Sequence, residues 1–398
     1  MRSFQFVFWI TFLFIYILIS LSSYRATLNL IGKKKLKGIF FSWSALILFF
    51  MVALYIWPGN IRNTENYALY FIFNGILFID LCFKLLLSFS YLGGLFLQKR
   101  KEIFSWFGMI ISAGMVILLL QGIFVGKNNS EVKSIDIKFN ELPERFDNYK
   151  ILHISDVHLG SFIFSKKILQ DLKKQITAIA PDLVLMTGDL VNNFFYELDG
   201  YEEIFSEIAQ SAVSFSILGN HDYGNYSNWD SDVDKKNNFD SLILAQERFG
   251  FNVLRNENCV VKEGNDSIYV IGVENWGHPP FPQYADMEKA LEGVPENAFK
   301  VLLSHDPAHW DSDVKGKKNI ELTLSGHTHG LQWGIKPAGI PFSFSYLVRK
   351  NWGGLYKWNG NSYLYVNSGL GTVGAPWRID MPAEITVITL KRIKVDRE

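Results

Sequence analysis

Residues 326–330 read GHTHG, and this stretch constrains the chain more than any other. Two histidines two apart, bracketed by glycines and preceded by the apolar run 320–324, suit a strand end where both imidazoles can reach metal. Alone, the pattern would serve equally well as two solvated loop histidines. It is instead the last of a series. Upstream stand Asp156 and His158 in SDVHLG, Gly188 and Asp189 in TGDL, Gly219, Asn220, His221 and Asp222 in GNHD, and His305 in LLSHD, each directly after an apolar, strand-like run. Metal-competent residues collected at successive strand ends predict one shared site.

Carboxylate, imidazole and amide groups without thiolate suit borderline divalent or mixed-valence ions such as Mn, Fe or Zn. The two cysteines, Cys82 and Cys259, supply neither a disulfide framework nor a thiolate site. One carboxylate between two cations can bridge them, and Asp189 is placed to do so. Two ions about 3.5–4 Å apart polarise a phosphoryl group, convert a bound water to hydroxide near neutral pH, and hold attacking and leaving oxygens in line. The departing oxygen also needs a proton. His221, beside Asn220, is the natural donor, with Asp222 expected to orient its imidazole; a spare ligand or a structural histidine is the alternative.

A chain of 398 residues exceeds one ordinary core, and its charge is divided unevenly. Through Gly126 there are eleven Lys/Arg against three Asp/Glu, which leaves 28 against 36 downstream although the total is balanced. An acidic downstream part argues against nucleic acid as its main partner. Residues 1–126 read as a membrane region of about four helices. Stretches 4–23, 38–57 and 103–125 carry no charge and are long enough to cross a bilayer. The fourth, 67–93, contains Asp80 and Lys84, four apart on one helical face, where they can pair inside a bundle. Arg25, Lys33, Lys34, Lys35 and Lys37 in the first connection, and Lys99, Arg100 and Lys101 in the third, outweigh Arg2 and Arg62. The positive-inside rule then places both termini, and the downstream domain, outside the cytoplasm.

Residues 127–134 read as a polar linker, followed by a domain over 135–398. Strands are expected at 135–139, 149–154, 183–187, 213–218, 267–273, 299–303, 320–324, 363–367 and 385–390. Helices are expected from Ser165 to Pro181, over 201–210 and over 238–249. Helices alternate with strands early and strands dominate late, which predicts a sheet-rich α/β domain. Asp230, Asp232 and Asp234 have calcium-loop spacing, but Lys235 replaces the turn glycine and Ser241 the bidentate glutamate, so a solvated loop is expected.

The motifs DxH, GD, GNHD, a lone His and GHxH, in this order, resemble the calcineurin-like metallophosphoesterase superfamily over residues 135–398. The resemblance implies two mixed sheets packed face to face between helical layers, a four-layer αββα fold. It implies a first metal held by Asp156, His158, Asp189 and His329, and a second by Asp189, Asn220, His305 and His327. Pro376, Trp377 and Arg378 near the end further resemble the bacterial membrane-anchored branch, in which a second glycine commonly follows GHTHG; here Leu331 stands there. The expected activity is hydrolysis of a phosphomonoester, phosphodiester or pyrophosphate. Anchoring favours a lipid-linked substrate, while a soluble nucleotide or sugar phosphate stays compatible; oligomeric state is left open. Arg378 can clamp a phosphate or form a structural salt bridge. His153 reads as a core histidine, His278 as a turn residue, and His309 as facing either the site or the surface. The competing reading is a non-catalytic metal-binding or interaction domain on a sensing or transport bundle, for which only Asp80 and Lys84 speak.

Overall fold

The computed structural model describes residues 2–31, 36–56, 64–97, 101–162, 165–277, 281–335, 342–347 and 349–393. Lys33, Lys34, Lys35, Arg62, Lys99 and Arg100, used above for orientation, and His278 lie outside the described residues. Two compact units are present, one holding the N-terminal helices and one the β-sheets.

Four helices occupy the apolar stretches: α1 (Arg2–Ile31), α2 (Leu36–Ile56), α3 (Thr64–Phe96) and α4 (Lys101–Phe124). Three spans, Thr11–Leu30, Ala68–Phe96 and Lys101–Asn128, are long and apolar enough to cross a membrane, which needs roughly 20 residues. The corresponding part of α2 within the described residues, Lys37–Val52, is shorter. Asp80 and Lys84 pair across one turn of α3 at 2.8 Å, as their spacing predicts. Lys84 Nζ also donates to Tyr16 OH of α1 and Ser44 Oγ of α2, at 2.7 and 2.9 Å, and the Trp43 indole of α2 donates to Asp80 Oδ1 at 2.9 Å. With its three donors used and its charge matched, Lys84 ties three helices together.

In chain order the strands are β1 (Ser130–Phe139), β2 (Lys150–Ile154), β3 (Leu183–Met186), β4 (Val213–Ser216), β5 (Asn252–Val253), β6 (Glu257–Glu263), β7 (Asp266–Gly272), β8 (Phe299–Leu303), β9 (Leu322–Ser325), β10 (Gly334–Ile335), β11 (Phe342–Ser343), β12 (Gly354–Trp358), β13 (Ser362–Val366) and β14 (Ala383–Arg392). One mixed sheet has the order β1-β14-β2-β3-β4-β5 and the other β12-β13-β9-β8-β7-β6, with β10 and β11 forming a small hairpin. In the first sheet β2 to β5 are parallel; in the second β7, β8, β9 and β13 are.

Strand periodicity explains the layers. Leu183 and Leu185 of β3 pack with Val301 and Leu303 of β8 in the core between the sheets. Val184 and Met186, on the other face of β3, pack with Leu169, Leu172 and Ile176 of α5 (Lys167–Ile179) and with Phe205 and Ile208 of α6 (Glu202–Gln210). Leu302, on the opposite face of β8, packs with Met287 and Ala290 of a short outer helix and with Trp310. Each such side chain contributes roughly 1.5–3 kcal/mol when fully buried. The result is the expected four-layer αββα arrangement.

Several boundaries differ from the sequence reading for one reason. β1 begins at Ser130, inside the stretch read as linker, and β6 and β12 were not anticipated; all three are edge strands. Their polar and charged positions, such as exposed Glu131 and half-buried Lys133 in β1, mask the strand pattern. The helix expected from Asn238 begins at Asp232, where the Ser231 side chain accepts from Asp234 N. The acidic run therefore forms the start of a helix, where carboxylates favour the dipole, and is no solvated loop.

Candidate metal centre

Every motif follows the C-terminal end of a strand. β2 leads to Asp156 and His158, β3 to Asp189, β4 to Asn220 and His221, β8 to His305, and β9 to His327 and His329. Because the strands within each set are parallel, their loops leave from a common sheet edge. Backbone bonds then join the loops: Asp156 N donates to Gly188 O at 3.0 Å, and His327 N donates to the Asp156 carboxylate oxygens at 3.0 and 2.9 Å. A Cβ at Gly326 would lie 2.0 Å from both Asp156 Oδ2 and Ser155 Oγ, so only glycine lets the two sheets' loops meet there. Asp156, His158, Asp189, His327 and His329 all adopt left-handed φ, between 47° and 69°. Such conformations cost about 1–3 kcal/mol each and concentrate where a site is over-determined by its surroundings.

Three overlapping groups bring ligand atoms within 4.8 Å of one another: Asp156, His158 and His329; His158, Asp189 and His221; Asp189, His305 and His327. His329 Nε2 lies 3.2 Å from Asp156 Oδ1 and 3.0 Å from His158 Nε2. Asp189 Oδ2 lies 3.5 Å from His158 Nε2 and 3.2 Å from His305 Nε2, while its Oδ1 accepts from His221 N at 2.8 Å. One oxygen of Asp189 is thus fixed by backbone and the other faces both groups. Asn220 Oδ1 completes the second, 3.1 Å from His305 Nε2 and 2.8 Å from His327 Nδ1. All seven expected ligands are brought together.

The tautomers agree with that use. His305 Nδ1 donates to Thr187 O at 2.7 Å, which leaves Nε2 facing the group. Burial opposes charge on His305, yet the Asp189 and Asp156 carboxylates outweigh it and raise its pKa to about 10. Burial likewise opposes the Asp189 anion, and the His305 and His221 rings hold its pKa well below the ordinary range. A metal ion at His305 Nε2 would take the place of any proton there. The Nδ1 atoms of His158 and His329 are buried with no hydrogen-bond partner among the described residues, while their Nε2 atoms converge. A shared proton could fill that gap. A cation fills it and also neutralises Asp156 and Asp189, so the donor set fits borderline metal ions.

His221 Nδ1 donates to Asn192 O at 2.7 Å, so Nε2 is the nitrogen that takes up and releases a proton. Its ring meets His158 edge-on, centroids 4.8 Å apart. Burial lowers its pKa, offset in part by Asp189 and the Asn192 carbonyl. Asp222 does not orient this ring. Its carboxylate accepts from four backbone N–H groups, those of Asp189 and Gly219 (2.8 Å each), Leu190 (3.0 Å) and Val191 (3.2 Å), so it shapes the Asp189 loop. Burial and the Asp189 charge push Asp222 up to about 7 even so.

Arg378 is corrected too. It is fully buried, and its guanidinium donates to the carbonyls of Ser368, Gly369, Gly371, Met381 and Pro382. No donor is left for a substrate phosphate. The loop it holds lies against the first group, since Gly371 N donates to Asp156 O at 2.9 Å. His153 is a buried core residue, as expected, with Nε2 at 2.9 Å from Thr187 Oγ1. His309 is neither at the surface nor among these ligand groups; it is buried against Ser304 and stacks on Trp276. Leu331, where a glycine was the norm, adopts φ 53° and stays 52 % exposed.

Sequence reasoning missed the supporting residues. Asp306 Oδ2 stands 3.6 Å from His327 Nε2 and its Oδ1 accepts from Arg349 at 2.7 Å. Glu197 accepts from the backbone of Gly160, Asn192, Asn193 and Phe194 at 2.6–2.9 Å, fixing the carbonyl that holds His221. Asp306 directly follows His305 in LLSHD, where the sequence reading takes only the histidine; Glu197 stands in no motif, and no local pattern marks a carboxylate that serves distant backbone.

The profile of the calcineurin-like phosphoesterase family matches residues 149–331. An uncharacterised metallophosphoesterase of Bacillus subtilis, YkuE, is 32 % identical over 269 residues, 64 % of this chain and 83 % of that protein. An uncharacterised metallophosphoesterase of Helicobacter pylori is 26 % identical over 396 residues, 96 % of this chain and 97 % of that protein. A transmembrane protein with metallophosphoesterase domain from Danio rerio is 28 % identical over 291 residues, 71 % of this chain, and the chain spans 62 % of its length.

Proposed function

The chain belongs to the calcineurin-like metallophosphoesterase superfamily, and on that premise we propose that it is a membrane-anchored hydrolase of phosphate esters or pyrophosphates using two transition-metal ions. The observation that carries the dinuclear reading is the position of Asp189 Oδ2, shared between His158 and His305. Asp156, His158 and His329 would hold one ion with Asp189, and Asn220, His305 and His327 the other. When bound, Mn, Fe or Zn ions supply the charge that polarises the phosphoryl group and makes water nucleophilic near neutral pH. In its protonated form His221 offers the Nε2 proton to the leaving oxygen while Asn192 O fixes its ring. Asp222 ties residues 189–191 to its own turn at Gly219 through four backbone bonds, and their loss would strand several buried donors at roughly 1–3 kcal/mol each.

Apolar helices and an apolar rim favour a lipid-linked phosphate or pyrophosphate. Leu331 follows the His329 loop directly, and Tyr346 and Leu347 beside it are 57 % and 75 % exposed. The basic first and third connections motivate a multi-pass chain with its catalytic domain outside the cytoplasm. Intact cells making the full chain should hydrolyse a membrane-impermeant ester added outside, and purified chain in detergent should prefer a lipid-linked pyrophosphate to the matching soluble one. Activity that appears only after lysis would contradict the orientation. Equal turnover of both substrates would contradict the lipid preference.

A further inference from the structure

An amide has two ends of nearly the same shape, and only the oxygen offers lone pairs to a cation. A flipped Asn220 would aim N–H groups at the ion it is meant to hold. Asn220 Oδ1 instead faces His327 and His305, and its Nδ2 donates to the Tyr226 hydroxyl at 2.9 Å. Tyr226 is itself fixed. Its ring stacks on His221 with centroids 4.4 Å apart and planes at 27°, and Phe281 stands beyond it at 6.4 Å. The turn that delivers it depends on Gly224 at φ +64°, whose carbonyl accepts from the Trp229 indole at 2.7 Å. A Cβ at Gly224 would meet Trp229 at 2.7 Å.

We propose that Tyr226 is a positioning residue: its hydroxyl fixes the Asn220 amide with Oδ1 toward the second metal, while its ring braces His221. This rests on the dinuclear reading above. One exposed-rim side chain thereby sets both the donor atom of a ligand and the ring that holds the leaving-group proton.

The test is metal binding by the full-length chain in detergent, stripped and then titrated with Mn²⁺ by calorimetry. Tyr226→Phe keeps the ring and loses the acceptor. It should weaken the second ion about tenfold, the lower end of what residues supporting a metal ligand are worth. In an Asn220→Asp background both ends of the side chain are oxygen, so there is no orientation to fix. There the same substitution should weaken binding by no more than about twofold, the limit of additivity for uncoupled changes. Tenfold weakening in both backgrounds would make Tyr226 a packing residue and overturn the proposal, as would no weakening in the Asn220 background. A wild-type chain that takes up one ion or none would overturn it together with the dinuclear reading, and that failure shows before any variant is made.

Discussion

Asp189→Ala is expected to release metal and to reduce hydrolysis of every phosphate ester by on the order of 10³-fold, the scale on which a preorganised charge counts in a water-poor site. The reason is geometric. Asp189 Oδ2 faces both ligand groups, 3.5 Å from His158 and 3.2 Å from His305, and no other carboxylate oxygen among the described residues is shared in this way. Its removal also leaves the His221 backbone N–H without its acceptor. Activated and unactivated esters should suffer alike, because what is lost precedes the choice of leaving group. Kinetics on both, with metal content measured in parallel, check this. A variant that keeps two ions and half its activity would refute the bridging role.

His221→Ala is expected to behave differently. Both ions should stay, since the ring is held by Asn192 O and Tyr226 and all seven ligands persist. Turnover of an alkyl phosphate should fall on the order of 10²-fold or more, within the usual worth of general acid–base assistance. An aryl ester such as p-nitrophenyl phosphate leaves readily as an anion and should lose less than about tenfold. The pH dependence has a definite sign. Burial lowers the pKa of His221, so its protonated form is lost as pH rises through a value below the usual one. The advantage of wild type over variant on the alkyl ester should be largest on the acid side and shrink as pH rises. Equal losses on the two esters with metal retained would assign His221 to holding the phosphate, and metal loss would make it a ligand.

The centre was legible in the sequence because its residue types are costly anywhere else. Histidines and aspartates directly after strand-like runs, repeated in a fixed order, point to one shared site; the run pattern by itself predicts a sheet-rich α/β domain, and the four layers implied by the family resemblance are met in the structure by the two packed faces of β3 and of β8. What stayed hidden depends on contacts far apart in the chain. The roles of Asp222 and Arg378 turn on which backbone groups surround them, and much of that is set by segments up to 33 residues away for Asp222 and up to 10 for Arg378. The Asp189 loop offers Asp222 three N–H groups and Gly219 a fourth, and the loop 368–371 with Met381 and Pro382 offers Arg378 its carbonyls, so both side chains are consumed as scaffolding. The left-handed backbone at five ligands is equally invisible locally, because packing of two sheets imposes it against residue preference. The first half of edge strand β1 and the whole of edge strands β6 and β12 escaped because an edge is kept polar to discourage further pairing.

Metal stoichiometry tests the central claim most directly. The full-length chain, purified in detergent without chelator and replenished with Mn, Fe or Zn, should carry about two ions per chain by elemental analysis, as expected for two ligand groups joined at Asp189. Less than one equivalent after replenishment would contradict the account.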